Sequence, residues 1–259
     1  MENKVESGIQ LFQRISSRPS IGELHPIIPN HIKDVPTIIE ITEDDCEIKR
    51  GFIMELLLRS VLPDNYLSGK DCGTIIINTE HHFNLVHFAS LLKRIIKGTV
   101  KDKSKVNEVL ESCLEKLIIL NCYNGQQLHM TILNIENILL SNTNIGLILL
   151  DSLSAFYWEE KIGSDTNNFV SLQNHCLKLF SSLYTIVKEF NVSFIYGNLF
   201  FEDNLAIVKA IKDKKYLENY YKITFYRDKT QLNTKISTVN ETKLYTCQAS
   251  DVFTFVEKM

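Results

Sequence analysis

Four consecutive aliphatic residues, Leu147 to Leu150, are followed directly by Asp151. A run of this kind predicts a strand buried on both faces, which is typical of a parallel sheet between two layers of helices. Open α/β sheets bind their ligands at the carboxyl ends of the strands, where Asp151 stands. In nucleotide triphosphatases such an aspartate holds Mg²⁺ beside the phosphates. Taken alone, the run is explained equally well by an ordinary loop aspartate after a core strand.

The rest of the chain alternates strand-like and helix-like segments. Runs of aliphatic and β-branched residues predict strands at 37–41, 74–80, 117–120 and 192–196, and further strands follow one another at 221–226, 235–239, 243–248 and 252–256. This order predicts a mostly parallel sheet with helices on both faces and a short antiparallel C-terminal extension. We expect one core over residues 38–259, preceded by an N-terminal segment, 1–37, with an amphipathic helix and a proline-containing linker.

Composition and charge narrow the class of protein. The 259 residues, 44% of them hydrophobic, suit one well-cored α/β domain, or at most two small ones. The net charge of −3 gives no overall attraction for nucleic acid, so any DNA contact must come from a local patch or a partner. The six cysteines never stand at C-x-x-C spacing and are expected to be reduced thiols of an intracellular protein. We expect neither a secretory signal nor a membrane helix.

A phosphate-binding loop is the next feature to seek, between the first strand and the helix after it. Such loops carry glycines whose backbone N–H groups wrap the phosphates, a lysine, and a Ser or Thr hydroxyl that binds Mg²⁺. The segment 42–51 keeps a lysine, Lys49, but Arg50 stands in the place of the hydroxyl. The places of the glycines are taken by Glu43, Cys46 and Ile48.

The same segment is strongly acidic. Its four carboxylates are Glu43, Asp44, Asp45 and Glu47. Each contact between like charges at about 4 Å costs roughly 4 kcal/mol at an effective dielectric constant near 20. Because one lysine cannot offset that repulsion, we expect an acidic surface turn here and no ATP binding of useful affinity.

Two other kinds of site find little support. A metal site could be sought at Glu80, His81, His82 and His87, but their spacing matches no zinc pattern, and we expect surface histidines and no bound metal. A serine hydrolase would need a G-x-S-x-G turn, which the chain lacks.

A basic segment, Lys209 to Lys229, carries seven basic and three acidic residues interleaved with tyrosines. Basic residues among aromatic ones suit single-stranded nucleic acid, through phosphate contacts and base stacking. The candidate DNA contacts are Lys209, Lys212, Lys214, Lys215 and Arg227. The alternative is a solvated lysine-rich helix followed by a strand whose tyrosines lie in the core.

The segment from Asp151 to Trp158, with the sequence DSLSAFYW, closely resembles one family, X-ray repair cross-complementing protein 2, the smallest of the eukaryotic RecA-type recombinase paralogues. Further matches to that family lie at residues 6–8, 17–26, 79–83 and 91–95, and 216–229 aligns more loosely. The resemblance implies a RecA-like core of the P-loop ATPase type.

The resemblance also assigns places to the residues of a degenerate nucleotide site. Lys49, Arg50, Asp151 and Ser152 would belong to it, and Glu80 would be a vestige of the glutamate that activates water. Leu199 stands where the family carries a polar residue that senses the γ-phosphate. We expect no catalytic residue and no cofactor, and ATP with Mg²⁺ only if the degenerate loop still binds it.

The family's role implies what this chain would do. We expect a non-catalytic, nuclear subunit of a paralogue complex that acts in homologous-recombination repair of double-strand breaks and supports recombinase filaments on single-stranded DNA. Its partner would be the D-type recombinase paralogue, and contact with single-stranded or branched DNA would be direct or through the complex. The alternatives are a weak ATP-dependent, DNA-binding recombinase-like ATPase and a metabolic α/β enzyme, but the latter would need a catalytic constellation that the sequence lacks.

Overall fold

Strands and helices alternate along the part of the chain that the structure, a computed structural model, describes. The described residues are 7–9, 18–19, 21, 23–28, 32, 35–43, 46–100, 102–163, 171–198, 205–229, 231–250 and 252–258. Their elements in chain order are β1 (Ile38–Glu43), α1 (Cys46–Val61), β2 (Gly73–Asn78), α2 (Leu85–Thr99), α3 (Lys103–Glu115), β3 (Leu117–Asn121), α4 (Gly125–Ser141), β4 (Ile145–Asp151), α5 (Tyr157–Gly163), α6 (Leu172–Phe190), β5 (Ser193–Gly197), α7 (Leu205–Ala210), α8 (Lys214–Glu218), β6 (Tyr220–Asp228), β7 (Gln231–Ser237), β8 (Thr242–Gln248) and β9 (Thr254–Glu257).

The strands pair into one sheet with the order β3-β2-β4-β5-β1-β6-β7-β8-β9. Neighbours from β3 to β6 are parallel, and β6 to β9 follow one another as antiparallel neighbours. Parallel pairing needs a long crossover, which the helices supply, whereas short turns suffice for antiparallel strands. This arrangement confirms the predicted α/β class, with a mostly parallel sheet and a short antiparallel C-terminal extension.

Strand β4 lies in the middle of the parallel part, and its residues Ile145 to Leu150 are all buried. Leu147 and Leu149 pack in the core cluster that contains α1, α2 and α3. Ile148 and Leu150 point to the opposite face, into the cluster formed with α4, α6, α7 and α8. Helices on both faces therefore explain why this strand has no polar side, as the aliphatic run predicted.

Helix α1 begins earlier than the sequence suggested. We predicted an acidic surface turn over 42–51, but the helix starts within that segment, at Cys46. Ile48 is buried and packs into the core cluster, so its apolar side chain favours the helical position over a solvated turn. Glu47 lies in the first turn, where the helix dipole favours a negative charge.

Several predicted features fall outside the described residues. These are Asp44, Asp45, Leu199 and most of the amphipathic N-terminal segment, residues 10–17. Of the predicted N-terminal helix, Gly8 and Ile9 are described and helical, and the Ile9 side chain is exposed.

Arg18 fastens the N-terminal segment to the core. Its guanidinium donates to the carbonyl oxygens of Leu139 and Asn142 at the end of α4, the latter at 2.9 Å. It also lies 5.5 Å from the centre of the Phe190 ring. The last carbonyls of a helix lack intrahelical partners and carry partial negative charge, so a cation is stabilising there.

A second anchor joins both ends of the described chain to α1. The buried carboxylate of Glu55 accepts from Arg59 Nε at 2.9 Å and from the backbone N–H of Phe253 at 2.6 Å. His25 Nε2 lies 3.2 Å from the same carboxylate. Because His25 Nδ1 accepts from the N–H of Ile27, the ring proton is assigned to Nε2, the nitrogen that faces Glu55.

Burial lowers the pKa of His25 below its ordinary value of 6.5, and Glu55 opposes this shift without reversing it. For Glu55, burial alone would raise the pKa, but hydrogen bonds from His25, Phe253 and Arg59 hold it below the ordinary 4.5. The folded chain therefore keeps His25 neutral while Glu55 stays ionised beside Arg59.

Because His25 is neutral in the folded chain, we expect the free energy of unfolding to decrease as the pH is lowered. The unfolded chain takes up a proton on this ring below pH 6.5, whereas the fold resists protonation, so the contribution is complete above pH 6.5 and is lost as pH falls towards the folded pKa. The loss is at most roughly 1.4 kcal/mol per pH unit. We expect His25→Gln to flatten the decline of the urea midpoint between about pH 7 and 5.

The exposed His129 on α4 provides the matched control, and His129→Gln should leave the slope unchanged. An equal slope in His25→Gln and the wild type would contradict the assignment.

Candidate functional site

The carboxyl ends of β2, β4, β5 and β1 meet at one edge of the sheet, beside the first turn of α1. Lys49 projects from that turn and places its Nζ 2.9 Å from Asp151 Oδ1 at the end of β4. The two side chains are only 11% and 13% exposed. The structure thus brings together two of the site residues predicted from the sequence, as a nearly buried ion pair.

Glu80 and Ser152 lie beside the pair and are linked to each other by a hydrogen bond. Ser152 Oγ donates to Glu80 Oε1 at 2.7 Å and lies 3.1 Å from the hydroxyl of Ser154. Thr79 Oγ1 accepts from the backbone N–H of Ser152 at 2.6 Å and donates to the carbonyl of Asp151. The ends of β2 and β4 are therefore locked together, and the carboxylate of Glu80 is held by a serine.

Gly197, the last residue of β5, leaves room for the ion pair. A Cβ atom at this position would lie 2.6 Å from Asp151 Oδ1 and 3.2 Å from Lys49 Nζ. The carbonyl of Gly197 also accepts from the N–H of Leu153 at 2.9 Å. The absence of a side chain is what allows Lys49 and Asp151 to pack against the strand.

The described residues do not fit Mg²⁺ and a triphosphate. Arg50 supplies no hydroxyl for the metal, and its guanidinium lies 3.0 Å from His82 Nε2. Ile48 fills core space in place of a glycine, and Lys49 already neutralises Asp151. Glu47 is an exposed acid on the same turn. These residues form a polar junction between α1 and β4, with neither a cradle of backbone donors nor a metal ligand set.

A buried polar network around Glu40 on β1 was not predicted from the sequence. The fully buried Glu40 on β1 accepts from the hydroxyl groups of Tyr220 and Tyr196 and, at 3.2 Å, from Asn198 Nδ2. Burial, with Glu40 nearby, raises the pKa of both tyrosines well above 10. The signal was present in the sequence, since Glu40 interrupts an aliphatic strand.

The candidate DNA contacts fall into two groups. Lys209, Lys212, Lys214 and Lys215 lie on α7, on α8 and between them, and are exposed. Arg227 lies near the far end of β6, seven residues after its first residue, or about 23 Å along an extended strand. The interleaved tyrosines Tyr216, Tyr220 and Tyr221 are buried, so they belong to the core and offer no face for base stacking.

The predicted surface histidines have protein partners. The His81 ring stacks on Tyr123 at 4.5 Å between centroids, and His82 contacts Arg50. Among the described residues, no group of three or more His, Cys, Asp or Glu side chains is arranged to hold a metal ion. Within the same part of the chain, no helix combines the length and apolar character needed to cross a bilayer. The thiols of Cys72, Cys113, Cys122, Cys176 and Cys247 are free and buried.

The sheet order and the helices on both of its faces define a class, an α/β domain of the RecA-like type. The chain is similar to DNA repair protein XRCC2 of Mus musculus, with 27% identity over 183 residues that cover 70% of this chain and 62% of that protein. It is also similar to a DNA repair protein XRCC2 homolog of Arabidopsis thaliana, with 19% identity over 218 residues, 71% of this chain and 56% of that protein. No family model matches the chain.

These similarities confirm the resemblance to X-ray repair cross-complementing protein 2 and the RecA-like fold inferred from the sequence. The matches span less than two thirds of the length of the two relatives, 62% and 56%.

The packing at Gly197 predicts a steric effect on the ion pair. Gly197→Ala places a methyl group 2.6 Å from Asp151 Oδ1, so Asp151 or the strand must move. We expect a loss of about 1–3 kcal/mol in the free energy of unfolding, measured in urea.

Gly98 near the end of α2 is the matched control, because a Cβ there meets nothing within 4 Å. Gly98→Ala should leave stability unchanged or raise it by up to about 1 kcal/mol. If both variants were as stable as the wild type, the close packing of β5 on the pair would be refuted.

Proposed function

We propose that this chain acts in DNA repair by homologous recombination, as a non-catalytic RecA-like subunit of a recombinase-paralogue complex. Two observations support the proposal: similarity to XRCC2 proteins of an animal and a plant, and the RecA-like fold. The single observation that carries the non-catalytic part is the contact between Lys49 and Asp151, 2.9 Å apart.

The ion pair changes what the site can do. In a working phosphate loop the lysine neutralises phosphate charge. Here Asp151 already supplies that negative charge to Lys49. A nucleotide would have to separate the pair and leave Asp151 without its partner in a nearly dry site, which is costly. Glu80, held by Ser152, is then a structural carboxylate and not a water activator.

An exposed apolar surface supports the role of a subunit. Trp158 and Ile162 lie four residues apart on α5 and are 60% and 85% exposed. Large apolar side chains grouped on a surface mark protein–protein contacts more often than isolated ones do. We propose that the D-type recombinase paralogue is the partner, that the complex supports recombinase filaments on single-stranded DNA, and that it works in the nucleus.

The alternative function is a weak ATP-dependent recombinase-like ATPase. One observation favours it: Asp151 and Glu80 remain at the carboxyl ends of the neighbouring strands β4 and β2, and Lys49 on α1 lies beside them, at the edge where open α/β sheets bind ligands. The acidic first turn and the missing hydroxyl favour the non-catalytic subunit.

A repair assay distinguishes the two functions. Cells that lack their own XRCC2-type protein would receive the wild-type chain or the double variant Lys49→Met with Asp151→Asn. The double variant removes both charges with little change in volume, so the fold should survive while any ATPase is lost. We expect wild-type levels of gene-conversion repair from both chains, and capture of a recombinase paralogue by both.

Lys49→Met alone is the control for the pair, because it leaves Asp151 without its partner and should lower the free energy of unfolding by about 3 kcal/mol or less. Loss of repair in a folded double variant would favour the ATPase. Failure of the wild-type chain to restore repair, with no paralogue captured, would overturn the proposed function.

A further inference from the structure

Arg50 carries a positive charge that the described part of the chain does not compensate. Its Nη2 donates to His82 Nε2 at 3.0 Å, in a contact at the surface. A neutral imidazole acceptor brings no negative charge to the guanidinium. Among the described residues, no carboxylate forms an ion pair with Arg50. The neighbouring cation, Lys49, differs in this respect, because Asp151 lies 2.9 Å from it.

The inner edge of the same guanidinium is shielded from water. Arg50 Nε is buried and has no hydrogen-bond partner in the described part of the chain, although the side chain as a whole is half-buried. A desolvated charge is costly unless it is paired. Arg50 also lies near the amino end of α1, where the helix dipole favours negative charge. An anion at the exposed outer edge of the guanidinium, beside His82, would offset both costs.

The surface around this contact is apolar. Leu85 and Val86 begin α2, shortly after His82 in the chain, and are 45% and 78% exposed. Tyr123 is 64% exposed and stacks on His81 at 4.5 Å between centroids. We define the Arg50 surface by the residues Arg50, His81, His82, Leu85, Val86 and Tyr123.

The charges favour a carboxylate of a protein over the phosphates of a nucleic acid. A guanidinium pairs with one carboxylate through two parallel hydrogen bonds. A nucleic-acid backbone instead needs several cations along its path. Arg50 is the single Lys or Arg of the Arg50 surface, and the exposed acid Glu47 lies on the same helical turn. Arginine and tyrosine are also among the residues enriched in protein interfaces.

We propose that the Arg50 surface binds the recombinase paralogue, with an Asp or Glu side chain of that partner accepting from Arg50. Apolar side chains of the partner cover Leu85, Val86 and Tyr123, and the exclusion of water strengthens the charged hydrogen bonds at the centre. The proposal rests on the proposed function, because the paralogue complex supplies the partner. Arg50, which stands in the place of a metal-binding hydroxyl, thus serves assembly.

Arg50→Met tests the charge, in a titration of the purified full chain with the purified D-type paralogue. Removing an uncompensated charge should leave the melting temperature of the free chain unchanged or raise it, while affinity for the paralogue falls on the order of tenfold or more. Lys188→Met is the matched control and should leave affinity unchanged. It removes an exposed positive charge in the last turn of α6, which leads into the amino end of β5, at the opposite edge of the sheet.

Val86→Asp tests the apolar part of the surface. An acid in the first turn of α2 is favoured by the helix dipole, so the fold should be kept. The new charge would repel the carboxylate of the partner, and we expect affinity to fall on the order of tenfold or more. Val239→Asp is the matched control, because Val239 lies between β7 and β8 and is 52% exposed, and it should leave affinity unchanged.

Equal affinity for the paralogue in Arg50→Met and the wild type, or in Val86→Asp and Val239→Asp, would overturn the proposal. Loss of binding to a labelled oligo-dT strand by Arg50→Met, with unchanged affinity for the paralogue, would overturn it in favour of nucleic acid. The proposed function is judged separately. A wild-type chain and variants that all bind the paralogue equally reject the Arg50 surface alone, whereas a wild-type chain that binds no paralogue rejects the proposed function.

Discussion

The ion pair between Lys49 and Asp151 is the interaction on which the arrangement of the site depends. It joins the first turn of α1 to the end of β4. Gly197 leaves space for the pair because it has no side chain. The hydrogen bond from the N–H of Ser152 to Thr79 Oγ1 joins β4 to β2 beside it. In a phosphate-binding site the same lysine charge would be left for the ligand. Here the protein compensates that charge internally, through Asp151.

The same principle of internal compensation recurs in the two cores. Glu55 on one face is surrounded by Arg59, His25 and the N–H of Phe253, and so ties the N-terminal segment and the approach to β9 onto α1. Glu40 on the other face is bound by Tyr196, Tyr220 and Asn198. Buried carboxylates are tolerated because each accepts several hydrogen bonds. They hold together elements that are far apart in the sequence.

Sequence periodicity predicted the fold well because its signals are local. The aliphatic run before Asp151 specifies β4, and the amphipathic pattern from Leu172 to Phe190 specifies α6. The start of α1 was missed because an acidic turn and an acidic first helical turn look alike in sequence. Helix α5, residues Tyr157 to Gly163, was also missed, since its apolar residues face solvent as well as the core. The partners of Glu40 and Glu55 lie up to 180 and 198 residues away, beyond any local pattern.

The central claim is that Lys49 is committed to Asp151 and is not available to a nucleotide. Calorimetric titration of the purified chain with Mg²⁺ and ATP tests it most directly, with Lys49→Met as the comparison. The account predicts no dissociation constant below about 1 mM for either chain. A micromolar dissociation constant in the wild type, abolished by Lys49→Met, would contradict the account, because the lysine would then bind phosphate.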